Sequence, residues 1–399
     1  MRRLSDVFKD NSGYKMFFLS LITFGLSYGL YKGVIDNYLA EIVSMSSFDK
    51  GLSEFFREIP GLLMVFILAV LYMLSAEKLY KLGAVIMLAG MAGHALVPAS
   101  KVMVTIAIFV FSLGEHIQLG MKTTIALQYA KDGKGGNAQG LMNSVYRIGT
   151  LTGYLVIIAV FYLLSATEAL YRSVFGISAC IIVLGFLSTL KMNGSSQTDE
   201  TKRRFYFRKK YTKYYMLEVF YGARKQIFLT FGPYVLVLFY GANAMVISVL
   251  FAISSVCIFF ASPLVGKIID RFGYKIVMIM DTLILVIVCF FYGFAHHIFP
   301  KNVAFIVCCV NYVLDSIISL ASMASNVYVQ DLADSADEVR ATISTGLSVN
   351  HLITILIALF GGWIWQALGI ETLFVLSAIL GLCNSAYAAT IKTSKDRAS

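Results

Sequence analysis

The sequence has 399 residues, of which 58% are hydrophobic and only 14% charged, with a formal net charge of +10. Soluble domains are nearer half apolar and a quarter charged, so this composition excludes a soluble globular fold and points to an all-α polytopic membrane protein. The basic excess sits in short loops and tails rather than along one face, which argues for positive-inside topology and against nucleic acid as a partner.

Arg2, Arg3, Lys9 and Lys15 precede the first apolar run, which lacks a small-residue cleavage site; a retained first helix is expected rather than a removed signal peptide. A crossing needs about 20 apolar residues. On that measure twelve runs stand out, centred near Leu26, Leu63, Met87, Phe109, Val156, Ile181, Leu229, Val256, Leu285, Ile317, Leu356 and Leu380. The even count puts both termini on one side. The basic N-terminal tail, Lys78 and Lys81, Lys131 and Lys134, and residues 202–213, 267–275 and 392–397 fall there, against scattered charges such as Lys50, Lys101, Arg172 and Lys301 opposite. Both termini are therefore expected in the cytoplasm, with the chain spanning the cell membrane. Cys180, Cys257, Cys289, Cys308, Cys309 and Cys383 lie in apolar runs without metal-ligand spacing, so they read as small buried core residues, and no metal or cofactor is expected.

The longest polar stretch follows the sixth run and divides the chain into residues 1–191, a basic linker at 192–213, and residues 214–399. Its second half mixes basic and aromatic residues, which suits contact with the lipid of an anionic cytoplasmic leaflet. Weak internal repetition supports the division. Tyr28, Gly29 and Lys32 in helix 1 echo Tyr221, Gly222 and Lys225 in helix 7, and residues 128–147 echo residues 330–351.

Between the eighth and ninth runs, residues 263–275 gather Pro263, Gly266, Lys267, Asp270, Arg271, Gly273 and Lys275 into a short charged connection. This order of glycine, aspartate with a basic residue, then glycine and a basic residue resembles the loop signature of the major facilitator superfamily of transporters. Residues 74–83, with Glu77 in place of aspartate and no first glycine, resemble a degraded copy between helices 2 and 3. The resemblance implies two six-helix bundles related by a pseudo-twofold axis along the membrane normal. It also implies a gating role for Gly266, Asp270, Arg271 and Gly273: the first glycine lets helix ends approach, and the charges pair with groups that separate as the transporter changes state.

An ionisable group at bilayer depth is costly unless it faces a cavity or a partner. Lys32 and Asp36 share one face of helix 1; Arg57 and Glu58 precede Pro60 in helix 2; Glu115, His116 and Lys122 lie in helix 4; and Arg147 enters helix 5. The second half has Glu218, Arg224 and Lys225 in helix 7, Asp315 in helix 10 and His351 in helix 11. The family resemblance implies that helices 1, 4, 7 and 10 line a central cavity, where most of these residues fall. Tyr28, Lys32, Arg224, Lys225 and Asp315 are candidates for substrate binding, and Glu58, Glu115, His116 and Asp315 for proton coupling. Asp36, Lys50 and Glu54 fit interfacial water as well as a functional place, Arg147 fits a cytoplasmic anchor at a helix start, and Tyr214, Tyr215, Phe220 and Tyr221 fit either a site lining or packing. His94, His296 and His297, near outer helix ends, read as structural. Gly149 with Gly153 in helix 5, and Gly361 with Gly362 in helix 11, suit close helix approach.

Cations gathered at mid-membrane concentrate anions. The expected function is secondary active transport of a small anionic or zwitterionic organic solute by alternating access, with protons as the coupling ion and a monomer as the working unit. Proton-driven drug efflux is the alternative within the class; a non-transporting membrane sensor on a transporter fold is the alternative outside it. Helix 5 lacks the proline of many antiporters and helix 4 only partly matches the drug-exporter pattern, both of which argue against efflux. An enzyme is not expected, since no HExxH run, GxSxG elbow or phosphate-binding glycine loop occurs.

Overall fold

The computed structural model describes residues 6–9, 12–71, 73–192 and 207–393. Arg2, Arg3, most of the expected linker (193–206) and the tail containing Arg397 lie outside the described residues.

Six long helices precede the linker: α1 (Ser12–Asn37), α2 (Ser47–Val70), α3 (Ala76–Leu96), α4 (Lys101–Tyr129), α5 (Gly135–Leu163) and α6 (Glu168–Leu190). After it come α7 (Thr212–Leu238), α8 (Ala244–Phe272), α9 (Tyr274–Ile298) and α10 (Lys301–Ile318), the last continuing through a tight turn at Ser319–Ser322 into Met323–Leu332. The final helical run, Ala336–Ala389, breaks at Gly369, whose φ of 91° no helix accommodates; residues 336–368 form α11 and residues 370–389 form α12. Among the described residues, twelve long helices thus stand where the twelve apolar runs lie. Nine stretches among the described residues meet a strict length-and-hydropathy criterion for crossing a membrane. The difference has a physical cause: α2 carries too many charges, Arg224, Lys225 and Gln226 lower the mean hydropathy of α7, and α11 and α12 count as one.

Side-chain caps start several of these helices. Ser75, Ser100, Thr167 and Ser335, each in extended backbone, accept from the amides of Lys78, Met103, Leu170 and Glu338. Gly273 (φ 85°) alone separates α8 from α9. The charged connection is therefore shorter than the sequence suggests, because Gly266, Asp270 and Arg271 still belong to α8.

The chain forms two compact units, one of residues 1–44, 56–201 and 243–252, the other of residues 45–55, 202–242 and 253–399. In the first, α1 packs on α5 and α6, and α3 on α4 and α6. A Cβ at Gly25, Gly29, Gly149 or Gly153 would overlap backbone of the facing α1 or α5, so these glycines hold two helices in backbone contact. In the second unit α9 packs on α10 and on the final helical run, which also covers α7. Gly222 of α7 meets Asn350 and Ile353 of α11, and Gly362 meets Gly51.

Several expectations change on this frame. Gly266 has nothing within 4 Å of the place a Cβ would occupy, so it permits no close approach here. Asp36, Lys50 and Glu54 are not in interfacial water: they are 1%, 1% and 7% exposed, with Lys50 Nζ donating to Glu54 Oε1 at 2.8 Å. Arg147 lies well inside α5 rather than at its start. Cys289 and Cys308 are buried as expected, but Cys180 and Cys383 are exposed, because an apolar run is also the composition of a lipid-facing surface. Tyr214 and Tyr215 are core residues, packed with Tyr211, Met278 and Tyr328.

Candidate functional site

In the first unit, polar side chains from α1, α2, α4 and α5 gather around Glu115. Lys32 Nζ donates to Asp36 Oδ2 at 3.1 Å, one helical turn away, and lies 5.4 Å from the ring centre of Phe251. Arg57 pairs with its neighbour Glu58. The Arg57 carbonyl accepts from Ser112 Oγ (2.5 Å), and Ser112 Oγ lies 3.1 Å from His116 Nδ1, so α4 is tied to α2 at this level. Glu115 is half-buried and makes no hydrogen bond or ion pair among the described residues. Arg57, Lys122 and Lys32 are close enough to act on it electrostatically, and Glu58 opposes them. Lys122 has no carboxylate within salt-bridge distance among the described residues; it lies 4.3 Å from the ring centre of Tyr146, which in turn packs on Tyr28.

In the second unit, Arg224 of α7 donates through Nη2 to Asp281 Oδ2 of α9 at 2.5 Å. The two residues are 3% and 8% exposed. The guanidinium lies 5.0 Å from the ring centre of Tyr221, and its Nη1 is buried without a hydrogen-bond partner. Tyr221 donates to the Ser319 carbonyl at 2.7 Å, at the break in α10. Glu218 accepts from Ser325 Oγ (3.0 Å) and from Asn350 Nδ2 (3.3 Å). Asp315 and Lys225 make no hydrogen bond or ion pair among the described residues, although Asp315 acts on both Arg224 and Lys225 through space. A small pocket of about 10 Å³ opens beside this network, lined by Tyr221, Asp281, Ser322, Ser325 and Asn384 among others.

The structure thus brings Tyr28, Lys32, Glu58, Glu115 and His116 into one polar cluster of the first unit, and Arg224, Lys225 and Asp315 into one of the second. Asp270 and Arg271 are exposed at the end of α8, with Arg271 5.3 Å from the Phe272 ring centre. Sequence reasoning missed Asp281, although its signal was available: it is a lone carboxylate in the apolar stretch of α9. Buried Ser112 and Asn350 carry no such signal, since small polar residues are common in membrane helices. Metal-ligating side chains converge elsewhere, at His296, His297 and Glu371, fifteen residues or about 22 Å along α9 from Asp281.

A family model described as the Major Facilitator Superfamily matches residues 17–336 and 214–398. The chain belongs to the major facilitator superfamily. Solved structures of similar fold include a mutant of the nucleoside transporter NupG, at 17% identity and a TM-score of 0.77 over 96% of this chain and 100% of that one. A D-xylose-proton symporter matches at 16% identity and a TM-score of 0.71 over 96% and 98%. A POT family transporter in complex with 5-aminolevulinic acid matches at 12% identity and 0.70 over 94% of each chain. No curated protein sequence matches significantly. Membership makes this a multi-pass membrane protein of a transporter family, and the buried and half-buried charges of α1, α2, α4, α7 and α10 belong to that setting.

Proposed function

We propose that this major facilitator protein moves a small zwitterionic or anionic organic solute by alternating access, coupled to protons. The observation that carries the reading is the charge balance of the two polar clusters. Most intramembrane cations have a carboxylate in contact: Lys32 with Asp36, Lys50 with Glu54, Arg57 with Glu58 and Arg224 with Asp281. Lys122 and Arg147 with Glu115 in the first unit, and Lys225 with Asp315 in the second, are left without an oppositely charged partner in contact among the described residues. A solute carrying both a carboxylate and an ammonium group satisfies a cation and a carboxylate together, whereas a neutral solute leaves both desolvated and unpaired. Glu115 and Asp315 are the carboxylates free to take and give a proton.

The reading includes two six-helix halves, residues 1–191 and 214–399, joined by the basic linker 192–213, with both termini cytoplasmic and a monomer as the working unit. Among the fold relatives, one is titled a D-xylose-proton symporter, which supports proton coupling, and another is in complex with 5-aminolevulinic acid, itself an amino acid, which supports the zwitterionic solute class. The test is uptake into proteoliposomes from a panel of amino-acid-like, carboxylate and neutral solutes, with and without an inward proton gradient. Gradient-driven accumulation of a zwitterion or anion supports the proposal. Accumulation that ignores the gradient removes proton coupling, and exclusive uptake of neutral solutes or of lipophilic cations removes the solute class.

A further inference from the structure

The end of α9 away from Gly273 carries His296 and His297, and the start of α12 carries Glu371 two residues after the break at Gly369. Successive helical residues point about 100° apart, yet the two imidazoles lie 3.9 Å apart between ring centres. Their Nε2 atoms reach the same carboxylate oxygen, Glu371 Oε1, at 3.0 Å and 2.8 Å. One ligand atom from each of the three residues lies within 4.8 Å of the others.

Three features hold this convergence in place. The ring of His296 packs edge-on against Phe239, with 4.9 Å between centres, and its Nδ1 is buried without a partner, so Nε2 is the only polar outlet of that ring. The Glu371 side chain folds back over Gly369, its Oε2 only 2.6 Å from the point where a Cβ at 369 would stand. Glycine is needed there twice, for the positive φ and for the space the carboxylate takes. The cluster is also open on one side, since the His297 side chain is 58% exposed.

We propose that His296, His297 and Glu371 form a binding site for a divalent transition-metal ion of the zinc class, which pins the end of α9 to the start of α12. Two imidazole nitrogens and one carboxylate oxygen, with a solvent molecule in the fourth position, are a common donor set for such an ion. Tetrahedral coordination at about 2.0–2.1 Å spaces the donors about 3.3 Å apart, so each imidazole nitrogen needs to part from the carboxylate oxygen by only about half an ångström or less. Carboxylate and imidazole together disfavour magnesium and calcium, which prefer oxygen alone.

The probe is Co²⁺, followed by Zn²⁺ competition, on full-length purified protein freed of any polyhistidine tag and carrying Cys180→Ser and Cys383→Ser to remove the exposed thiols. One equivalent of Co²⁺ is expected to give the intense visible absorption of a tetrahedral site and to be displaced by Zn²⁺. His297→Ala and Glu371→Gln should each weaken binding by about tenfold or more. Glu371→Gln keeps the shape of the side chain and serves if the alanine variant elutes as aggregate. No stoichiometric binding, or equal affinity in the parent and in a folded variant, overturns the site.

Discussion

Arg224 and Asp281 face each other across 2.5 Å between α7 and α9, and both are almost wholly buried. Removing one member of such a pair leaves an uncompensated charge, which costs about 3–5 kcal/mol, whereas replacing both by apolar residues of similar volume is often neutral. Asp281→Ala is therefore expected to lower the unfolding temperature of the purified protein sharply, and Arg224→Met with Asp281→Leu to recover most of it. Equal loss in the single and double variants would mean that the pair's neighbours, not its charges, hold this region together.

How much of this was legible in the chain varies with the kind of signal. Helix number and order follow from apolar run length, and the Lys32 and Asp36 pairing follows from a four-residue spacing; both are local properties. The Arg224 and Asp281 pair joins residues 57 apart, and the cluster of His296, His297 and Glu371 joins residues about 75 apart, so no periodicity announces either. Lys50 and Glu54 show a different limit. Their spacing was visible, but whether a charged pair near a helix start meets water or protein depends on what packs over it, here including the Tyr234 ring, 5.6 Å from Lys50 Nζ.

The glycines of α1 and α5 should be the least replaceable in the first unit. A side chain at Gly29 would overlap the backbone of Thr150, and no rotamer change relieves a backbone clash. Gly29→Val is expected to abolish recovery of folded, monodisperse protein. Gly120→Ala, where nothing lies within 4 Å, is expected to be tolerated and to add up to about 1 kcal/mol through helix propensity. Size-exclusion profiles and thermal unfolding of the two variants check this contrast.

The two glycines of the charged connection should separate in the same way. Gly273, the sole residue between α8 and α9, holds φ at 85° and ψ at 150°, a region open to essentially glycine alone, so Gly273→Ala is expected to cost about 1–3 kcal/mol. Gly266 is helical with free space around it, so Gly266→Ala should leave stability unchanged or slightly raised. Measuring transport alongside stability makes the comparison decisive for gating. A Gly266→Ala protein that is stable but inactive would place the need for that glycine in a different conformation.

The sharpest functional difference is expected within α4. Glu115 has no contact partner among the described residues but sits in the field of Arg57, Lys122 and Lys32, so it can change charge without breaking a bond. If it carries the coupling proton, Glu115→Gln imitates the permanently protonated state. Such a variant can still exchange solute across the membrane, because exchange needs no net proton movement, but it cannot accumulate solute against a gradient. Glu115→Gln is expected to lose at least about tenfold of proton-driven uptake while keeping counterflow close to the parent rate. Lys122→Ala, which removes a cation without an ion-pair partner, should instead weaken solute binding and depress both assays together. Paired counterflow and gradient-driven assays distinguish the two, and a Glu115→Gln protein that still accumulates solute would move the coupling role elsewhere.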